Sequence, residues 1–137
     1  MRNKWYSLLL LGLVLLLASS GLGCGDTYTT KADLPAGAIS WDKAKDHIGD
    51  RTTVRGPVAG TFYGSSGKGR PTFLNIGKDH PSKKRFTVVI WNDNRGNFLQ
   101  LPEVHYQSKT ICVKGLIQEY EGISQIEVTD PSQIVEQ

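Results

Sequence analysis

Apolar and polar residues alternate along most of the chain after Thr52, and this period of two is typical of β-strands. The alternating stretches are residues 52–62, 71–77 and 85–92, followed by about Thr110–Glu119 and Ile123–Thr129, which are joined at "YEG". The pattern therefore predicts five strands. In the first, Val54, Val58 and Phe62 are expected on one face, and interspersed glycines allow the strand to bend sharply.

A different pattern precedes the strands. In "SWDKAKDHIGD", Trp41, Ala44 and Ile48 recur at spacings of three and four, Ser40 stands at the N-cap position, and Gly49 follows the last periodic residue. This predicts a short amphipathic helix of about two turns. The polar, aperiodic residues 25–37 before it are typical of a flexible tether.

The first 23 residues have the order of an export signal. Arg2 and Lys4 precede a long apolar run, and small residues follow it, as in secretory signal peptides. The apolar run Leu8–Ala18 is short for a membrane-spanning helix, which needs about 20 residues. We therefore expect cleavage.

The stretch "GLGC" at residues 21–24 resembles the lipobox of bacterial lipoproteins, although Leu22 stands one place nearer the cysteine than in the usual motif. The resemblance implies a lipid on Cys24 and a location in the bacterial cell envelope, periplasmic or surface-facing. The alternative is ordinary signal-peptidase cleavage that leaves Cys24 as a thiol or in a disulfide. The predicted organisation is a signal peptide over 1–23, a lipidated cysteine and tether over 24–38, and one domain over 39–137.

The strand segments resemble the bacterial single-domain OB-fold proteins that are described as nucleic-acid-binding. The segments that carry the resemblance are "IGDRTTVRGPVAG", "FLNIG", "FTVVIW" and "KTICVKGLIQEYEGISQIEVTDPSQI", within Trp41–Ile134. The resemblance implies an all-β fold, a five-stranded Greek-key barrel closed by the last hairpin, with the short helix before it. "DPSQI" would then mark the point where the chain leaves the barrel.

Motifs for catalysis are absent from the sequence. His47, His80 and His105 have no metal-ligand spacing, and "GSSGKGR" lacks the spacing of a phosphate-binding loop. We expect no enzyme, no metal and no cofactor. A metal-dependent nuclease on the same fold stays open as a third hypothesis, although no "DGDT" motif is present.

Charge is distributed unevenly along the predicted mature chain. Residues 24–137 carry 14 basic and 13 acidic residues, which gives no general affinity for nucleic acid. Residues 68–95, however, hold seven basic residues against two acidic ones, whereas residues 96–137 hold two against six. A basic face is thus predicted around the second and third strands.

Ligands of this fold usually bind on the second and third strands and on the hairpin loops. The predicted ligand-binding residues are Tyr63, Lys68, Arg70, Phe73, Lys83, Lys84, Arg85, Trp91 and Tyr120. If Phe73 and Trp91 face outward, they form a platform on which bases stack, while the cations contact phosphates. The competing interpretation is that one or both aromatic rings close an end of the barrel, that the basic run is a solvated turn, and that Tyr120 packs over its hairpin.

These observations predict an exported, membrane-anchored binding module for single-stranded nucleic acid or another polyanion. The alternative is an envelope protein-interaction or stress-related module without nucleic-acid binding, which would use the acidic hairpin residues Glu119, Glu121 and Glu127 or the edge of the barrel.

Overall fold

The computed structural model describes residues 36–137, and their architecture is all-β, as predicted. The strands are β1 (Ala38–Ser40), β2 (Arg51–Tyr63), β3 (Thr72–Ile76), β4 (Phe86–Ile90), β5 (Thr110–Leu116), β6 (Gln118–Tyr120), β7 (Ile123–Glu127) and β8 (Ile134–Glu136). Short α-helices cover Asn92–Arg95 and Pro102–His105, and 3-10 helices cover Trp41–His47 and Pro131–Gln133. The predicted signal peptide and Cys24 lie outside the described residues.

The strands form one mixed sheet in the order β6-β7-β4-β3-β2-β5-β8, and β1 pairs in parallel with β2. The segment β2-β3-β4 is an antiparallel meander, and β5 returns by a long connection to lie beside β2. This arrangement is a Greek key, in which the fourth strand lies beside the first. The parallel pairing of β4 with β7 then brings the C-terminal hairpin onto the other side of the meander.

The prediction that the sheet closes into a barrel is wrong. Closure would need a hydrogen-bonded ladder between β5 and β7, but the outer edge of β5 pairs with β8 and the outer edge of β7 pairs with β6. The two strands meet instead through a side chain, because Ile126 packs where Gly115 has no Cβ. The described sheet is therefore open at this seam, although its inner face is fully covered.

The inner face of the sheet holds the hydrophobic core. Its fully buried members include Val54, Leu74, Ile76, Phe86, Val88, Ile90, Ile111, Val113, Ile126 and Val128. The alternation predicted for the second and third strands is confirmed. Leu74 and Ile76 of β3 belong to the core, and so do Phe86, Val88 and Ile90 of β4. Burial of large aliphatic side chains of this kind contributes roughly 1.5–3 kcal/mol each before the entropy cost of ordering them.

The predicted helix is present, but as a 3-10 helix over Trp41–His47. Ala44 is buried in the core, and the Trp41 ring lies against Gly56 and Gly77. Neither glycine could carry a Cβ without contacting this ring, so both leave the space in which the indole sits. The helix thereby covers one end of the sheet.

A β-bulge in β2 reverses which side chains of the C-terminal half of the strand face the core. The register with β3 pairs Val58 with Ile76 but Gly60 with Asn75, so Ala59 is the extra residue. The prediction that Phe62 shares a face with Val54 and Val58 is therefore wrong, because one inserted residue reverses the alternation. Val58 is buried, whereas Phe62 points outward and is 61% exposed.

Three of the eight described strands were not predicted as separate strands. The predicted fourth strand is interrupted at Ile117 and forms β5, which pairs with β2, and β6, which pairs with β7. Strands β1 and β8 were not predicted at all, and β8 corrects the expected end of the fold. "DPSQI" does not lead the chain away from the sheet; Pro131–Gln133 form a 3-10 turn that returns the chain as β8 along β5. The Asp130 side chain accepts from Ser132 N at 2.8 Å, and the Gln133 side chain accepts from Asp130 N at 3.1 Å. This capping box fixes the direction in which the chain turns back.

Within residues 36–137, no helix is long and apolar enough to cross a membrane.

Candidate functional site

A groove of about 620 Å³ lies on the outer face of the sheet, opposite the core. Three cross-strand pairings create its floor, because they place Gly60, Asn75, Thr87 and Gln125 side by side across β2, β3, β4 and β7. The turn between β3 and β4 forms one wall, and the tip of the β6–β7 hairpin forms another. The site is thus built on paired strands, which hold its floor rigidly.

Three aromatic side chains line the groove. Phe62 and Phe73 lie directly opposite each other on β2 and β3, in the row next to the polar floor. Tyr120, at the end of β6, is 62% exposed at the hairpin tip. Exposed rings on a common groove provide flat apolar surfaces onto which planar ligand groups stack.

The floor of the groove is a hydrogen-bonded network of polar side chains. Asn75 Nδ2 donates to Asp79 Oδ1 at 2.8 Å, and Thr87 Oγ1 donates to Asn75 Oδ1 at 3.4 Å. Asn75 and Thr87 are both buried, so these contacts satisfy groups that would be costly to leave unpaired. The network fixes the position of the Asp79 carboxylate.

Asp79 remains ionised over a wider pH range than an ordinary aspartate. Hydrogen bonds from Asn75 and from the His80 backbone N–H lower the pKa of the Asp79 carboxyl, and the positive charges of His80 and Arg85 lower it further. Desolvation raises this pKa by more than either charge alone lowers it, but it does not outweigh the two hydrogen bonds. The groove therefore holds a fixed carboxylate at neutral pH.

The turn between β3 and β4 that holds this carboxylate, residues 78–85, is rich in basic residues, and we call it the basic turn. It carries Lys78, Lys83, Lys84 and Arg85 against the one acidic residue Asp79. The three lysines are exposed, whereas Arg85 is half-buried and lines the groove. A ligand in the groove would thus lie beside an exposed group of positive charges.

Three of the nine predicted ligand-binding residues line the groove, namely Phe73, Arg85 and Tyr120. Lys83 and Lys84 stand next to it in the basic turn. Lys68 and Arg70 are exposed in the loop between β2 and β3, and they do not line the groove.

Tyr63 and Trp91 lie outside the groove. The Tyr63 hydroxyl donates to Asn92 Oδ1 at 3.3 Å, and the Arg95 guanidinium lies 3.9 Å from the centre of the Tyr63 ring. Trp91 is 36% exposed, and its ring packs against Gly69 of the loop between β2 and β3. The structure therefore pairs Phe73 with Phe62, and not with Trp91, in the groove.

Phe62 and Asp79 were missed in the sequence. A signal for Phe62 was present, because glycine inside a strand pattern often marks a bulge, and "PVAG" ends in Gly60. Asp79 gave no such signal, since a single acid in a basic run has the pattern of an ordinary turn. Its position in the groove depends on the Asn75 contact, which only the fold shows.

No group of three or more histidine, cysteine, aspartate or glutamate residues suited to a metal ion occurs among residues 36–137.

Comparisons with known proteins give likenesses of structure only. No family model and no curated protein matches the sequence. A chain described as an aspartyl-tRNA synthetase from Leishmania major Friedlin matches with a TM-score of 0.47 and 11% identity, covering 83% of this chain and 23% of its own. The aspartyl-tRNA synthetase from Entamoeba histolytica matches with a TM-score of 0.46 and 15% identity over 92% of this chain and 28% of its own.

A third solved structure that matches is not a synthetase. The OBody AM1L10, bound to hen egg-white lysozyme, matches with a TM-score of 0.48 and 16% identity over 82% of this chain and 98% of its own. The chain described here thus spans less than a third of the length of either synthetase chain, and nearly the whole OBody.

Proposed function

We propose that this protein is a binding module, not an enzyme, and that it binds single-stranded nucleic acid in the groove on the outer face of the sheet. The observation that carries the proposal is the position of Phe62, Phe73 and Tyr120 on one groove beside the basic turn. Bases have flat faces that stack on such rings, and phosphates are attracted by lysine and arginine. Other polyanions would use the cations but not the rings.

The aromatic rings provide the most direct test. Replacing Phe62→Ala should weaken binding of a labelled single-stranded oligonucleotide by about 1–3 kcal/mol, because one stacking surface is lost. Phe62 is exposed, so its removal leaves the core intact. Fluorescence anisotropy of the oligonucleotide at low salt measures the change.

The matched control is Leu99→Ala, which removes another exposed apolar side chain from a residue outside the groove. Equal binding by the Leu99→Ala protein and the unmodified protein is expected. If the Phe62→Ala protein also binds normally, the groove is not the nucleic-acid site.

A protein partner in the cell envelope is the second candidate function, and the free edge of the sheet favours it. Strand β6 is an edge strand of the described sheet, where it pairs only with β7. All three of its residues are exposed. An exposed edge is a template for an added strand from another protein. Cross-linking in intact cells separates the two functions, because recovery of one envelope protein in stoichiometric amount, lost on Glu119→Pro, supports the partner.

Export and lipid attachment are part of the proposal and are supported by the sequence of residues 1–24. The basic start, the apolar run and Cys24 are the features that an envelope lipoprotein would need. Metabolic labelling with a fatty acid, followed by Cys24→Ser, tests the attachment. Cys112→Ala is the control, since Cys112 is buried in β5 and its replacement should leave the label in place.

A further inference from the structure

The Asp79 carboxylate has a precise position in the groove that stacking alone would not require. It lies flat against the Cα atom of Gly60, where a side chain on residue 60 would overlap it. Both of its hydrogen bonds within the described chain are accepted by Oδ1, from Asn75 Nδ2 at 2.8 Å and from His80 N at 2.7 Å. Oδ2 therefore keeps its acceptor capacity for a ligand.

Arg85 provides the complementary charge in the same groove. Its Nη1 donates to Ser82 O at 2.7 Å, whereas Nε is buried and has no acceptor among the described residues. Nη2 has no acceptor among the described residues and, unlike Nε, is not buried, so it is the donor that a ligand can reach. The charge of the guanidinium also acts on Asp79. A ligand that offers an acceptor beside its donors would match both side chains.

Resting on the proposed function, we infer that Asp79 and Arg85 select guanine as the base bound in this groove. The Watson–Crick edge of guanine carries two adjacent donors, N1–H and the N2 amino group, next to the O6 acceptor. Asp79 Oδ2 accepts from the donors, and Arg85 donates to O6, while Phe62 and Phe73 offer stacking surfaces. Single-stranded bases are read on this edge in other nucleic-acid complexes.

The other bases match the pair less well. Adenine and cytosine each place an unprotonated ring nitrogen next to the amino group, and this nitrogen would face the carboxylate. Thymine has one donor between two carbonyl oxygens, which the carboxylate repels. A carboxylate fixed in the floor therefore discriminates against the three other bases as well as attracting guanine.

Three short deoxyoligonucleotides test the inference. Each has thymine at all positions except the centre, which carries guanine, hypoxanthine or adenine; hypoxanthine retains N1–H and O6 but lacks the N2 amino group. We expect the guanine oligonucleotide to bind roughly ten-fold more tightly than the adenine one, with hypoxanthine between them. Fluorescence anisotropy competition in a lithium buffer, which prevents guanine quadruplexes, gives the three affinities.

Two variants separate the charge of Asp79 from its position. Asp79→Asn removes the charge and one acceptor, and Gly60→Ala keeps the charge but displaces the carboxylate through the added Cβ. Both should reduce the ten-fold preference for guanine to near equality, while binding of the adenine oligonucleotide persists. Asp46→Asn, an equal charge change at an exposed residue of the 3-10 helix, should leave the preference intact.

The outcomes distinguish this inference from the function on which it rests. Equal affinities of the unmodified protein for all three oligonucleotides, or an unchanged preference in Asp79→Asn, would overturn base selection and leave nucleic-acid binding in place. Failure of every oligonucleotide to bind would overturn both.

Discussion

The cluster around Arg95 shows how single residues stabilise the irregular segment between β4 and β5. Arg95 Nη2 and Glu103 Oε1 are 2.6 Å apart, and the two side chains are only 13% and 18% exposed. Arg95 Nη1 also donates to Thr72 Oγ1 at 2.6 Å. One guanidinium therefore ties both short α-helices to β3, and its position over the Tyr63 ring connects them to β2.

Replacing Glu103→Gln should destabilise the protein by about 1–3 kcal/mol at neutral pH, because Arg95 loses a partly buried ionic partner. The hydrogen bond from Arg95 lowers the pKa of the Glu103 carboxyl in the folded protein. The stabilisation is therefore complete above the ordinary glutamate pKa, about 4.3, and is lost as the pH falls through the lower folded-state pKa. Urea unfolding at pH 7 and at decreasing pH measures the difference between the two proteins.

Glu119→Gln is the control, since Glu119 is an exposed acid on β6. It should change stability little at any pH. A Glu103→Gln difference that stays constant into the acid range would show that the ionised carboxylate is not the source of the stabilisation.

At the scale of whole elements, glycines determine how closely the 3-10 helix packs on the sheet. An added Cβ at Gly56 in β2 would lie 2.6 Å from Trp41 Cδ1 and would also meet the Ile76 side chain. Both neighbours belong to rigid, packed parts of the molecule, so neither has room to move away. The docking of the 3-10 helix on the sheet therefore requires glycine at this position.

We expect Gly56→Ala to destabilise the protein by about 1–3 kcal/mol through overpacking. Gly96→Ala is the matched control, because Gly96 has ordinary helical backbone angles and its added Cβ would meet nothing within 4 Å. Chemical denaturation of both variants gives the comparison. Equal stability of the two would show that Trp41 can shift without cost.

The elements differ in how far the sequence predicts them. Strands β3 and β4, which show clear alternation, were found at their predicted positions, because alternate residues of each belong to the hydrophobic core: Leu74 and Ile76 in β3, and Phe86, Val88 and Ile90 in β4. Strands β1 and β8 have three residues each, too few to show a period. The bulge at Ala59 was missed for a related reason, since its position depends on the register with β3 and not on β2 alone.

The residues of the candidate site were also predicted only where the local pattern of one strand or turn was enough. Phe73 was predicted from residue type and strand position, and Tyr120 from its place in the last hairpin turn; both line the groove. Trp91 was predicted by the same reasoning, but it packs on Gly69, a contact that depends on how the loop after β2 folds back. Pairings between distant strands create the groove, and such pairings leave no local trace in one sequence.

For the whole molecule, the uneven distribution of charge has a consequence for binding. The basic turn lies beside the groove, whereas the acidic residues of the last 42 positions include Glu121 at the hairpin wall. A polyanion should therefore be held at one side of the groove, with its backbone along the basic turn.

The double replacement Lys83→Gln and Lys84→Gln should weaken oligonucleotide binding and reduce its salt dependence. Each phosphate contact that is lost should lower the slope of log affinity against log salt by about 0.7. Titrations at several salt concentrations measure this slope. Lys43→Gln with Lys45→Gln, an equal charge change on the 3-10 helix, should leave the slope unchanged.

The extra residue at Ala59 determines which side chains of β2 reach the outer face of the sheet. Before it, the inward side chains of β2 belong to the interior, and after it Phe62 belongs to the outer surface. We therefore expect substitutions of Phe62 to change the proposed binding while they leave the hydrophobic core intact.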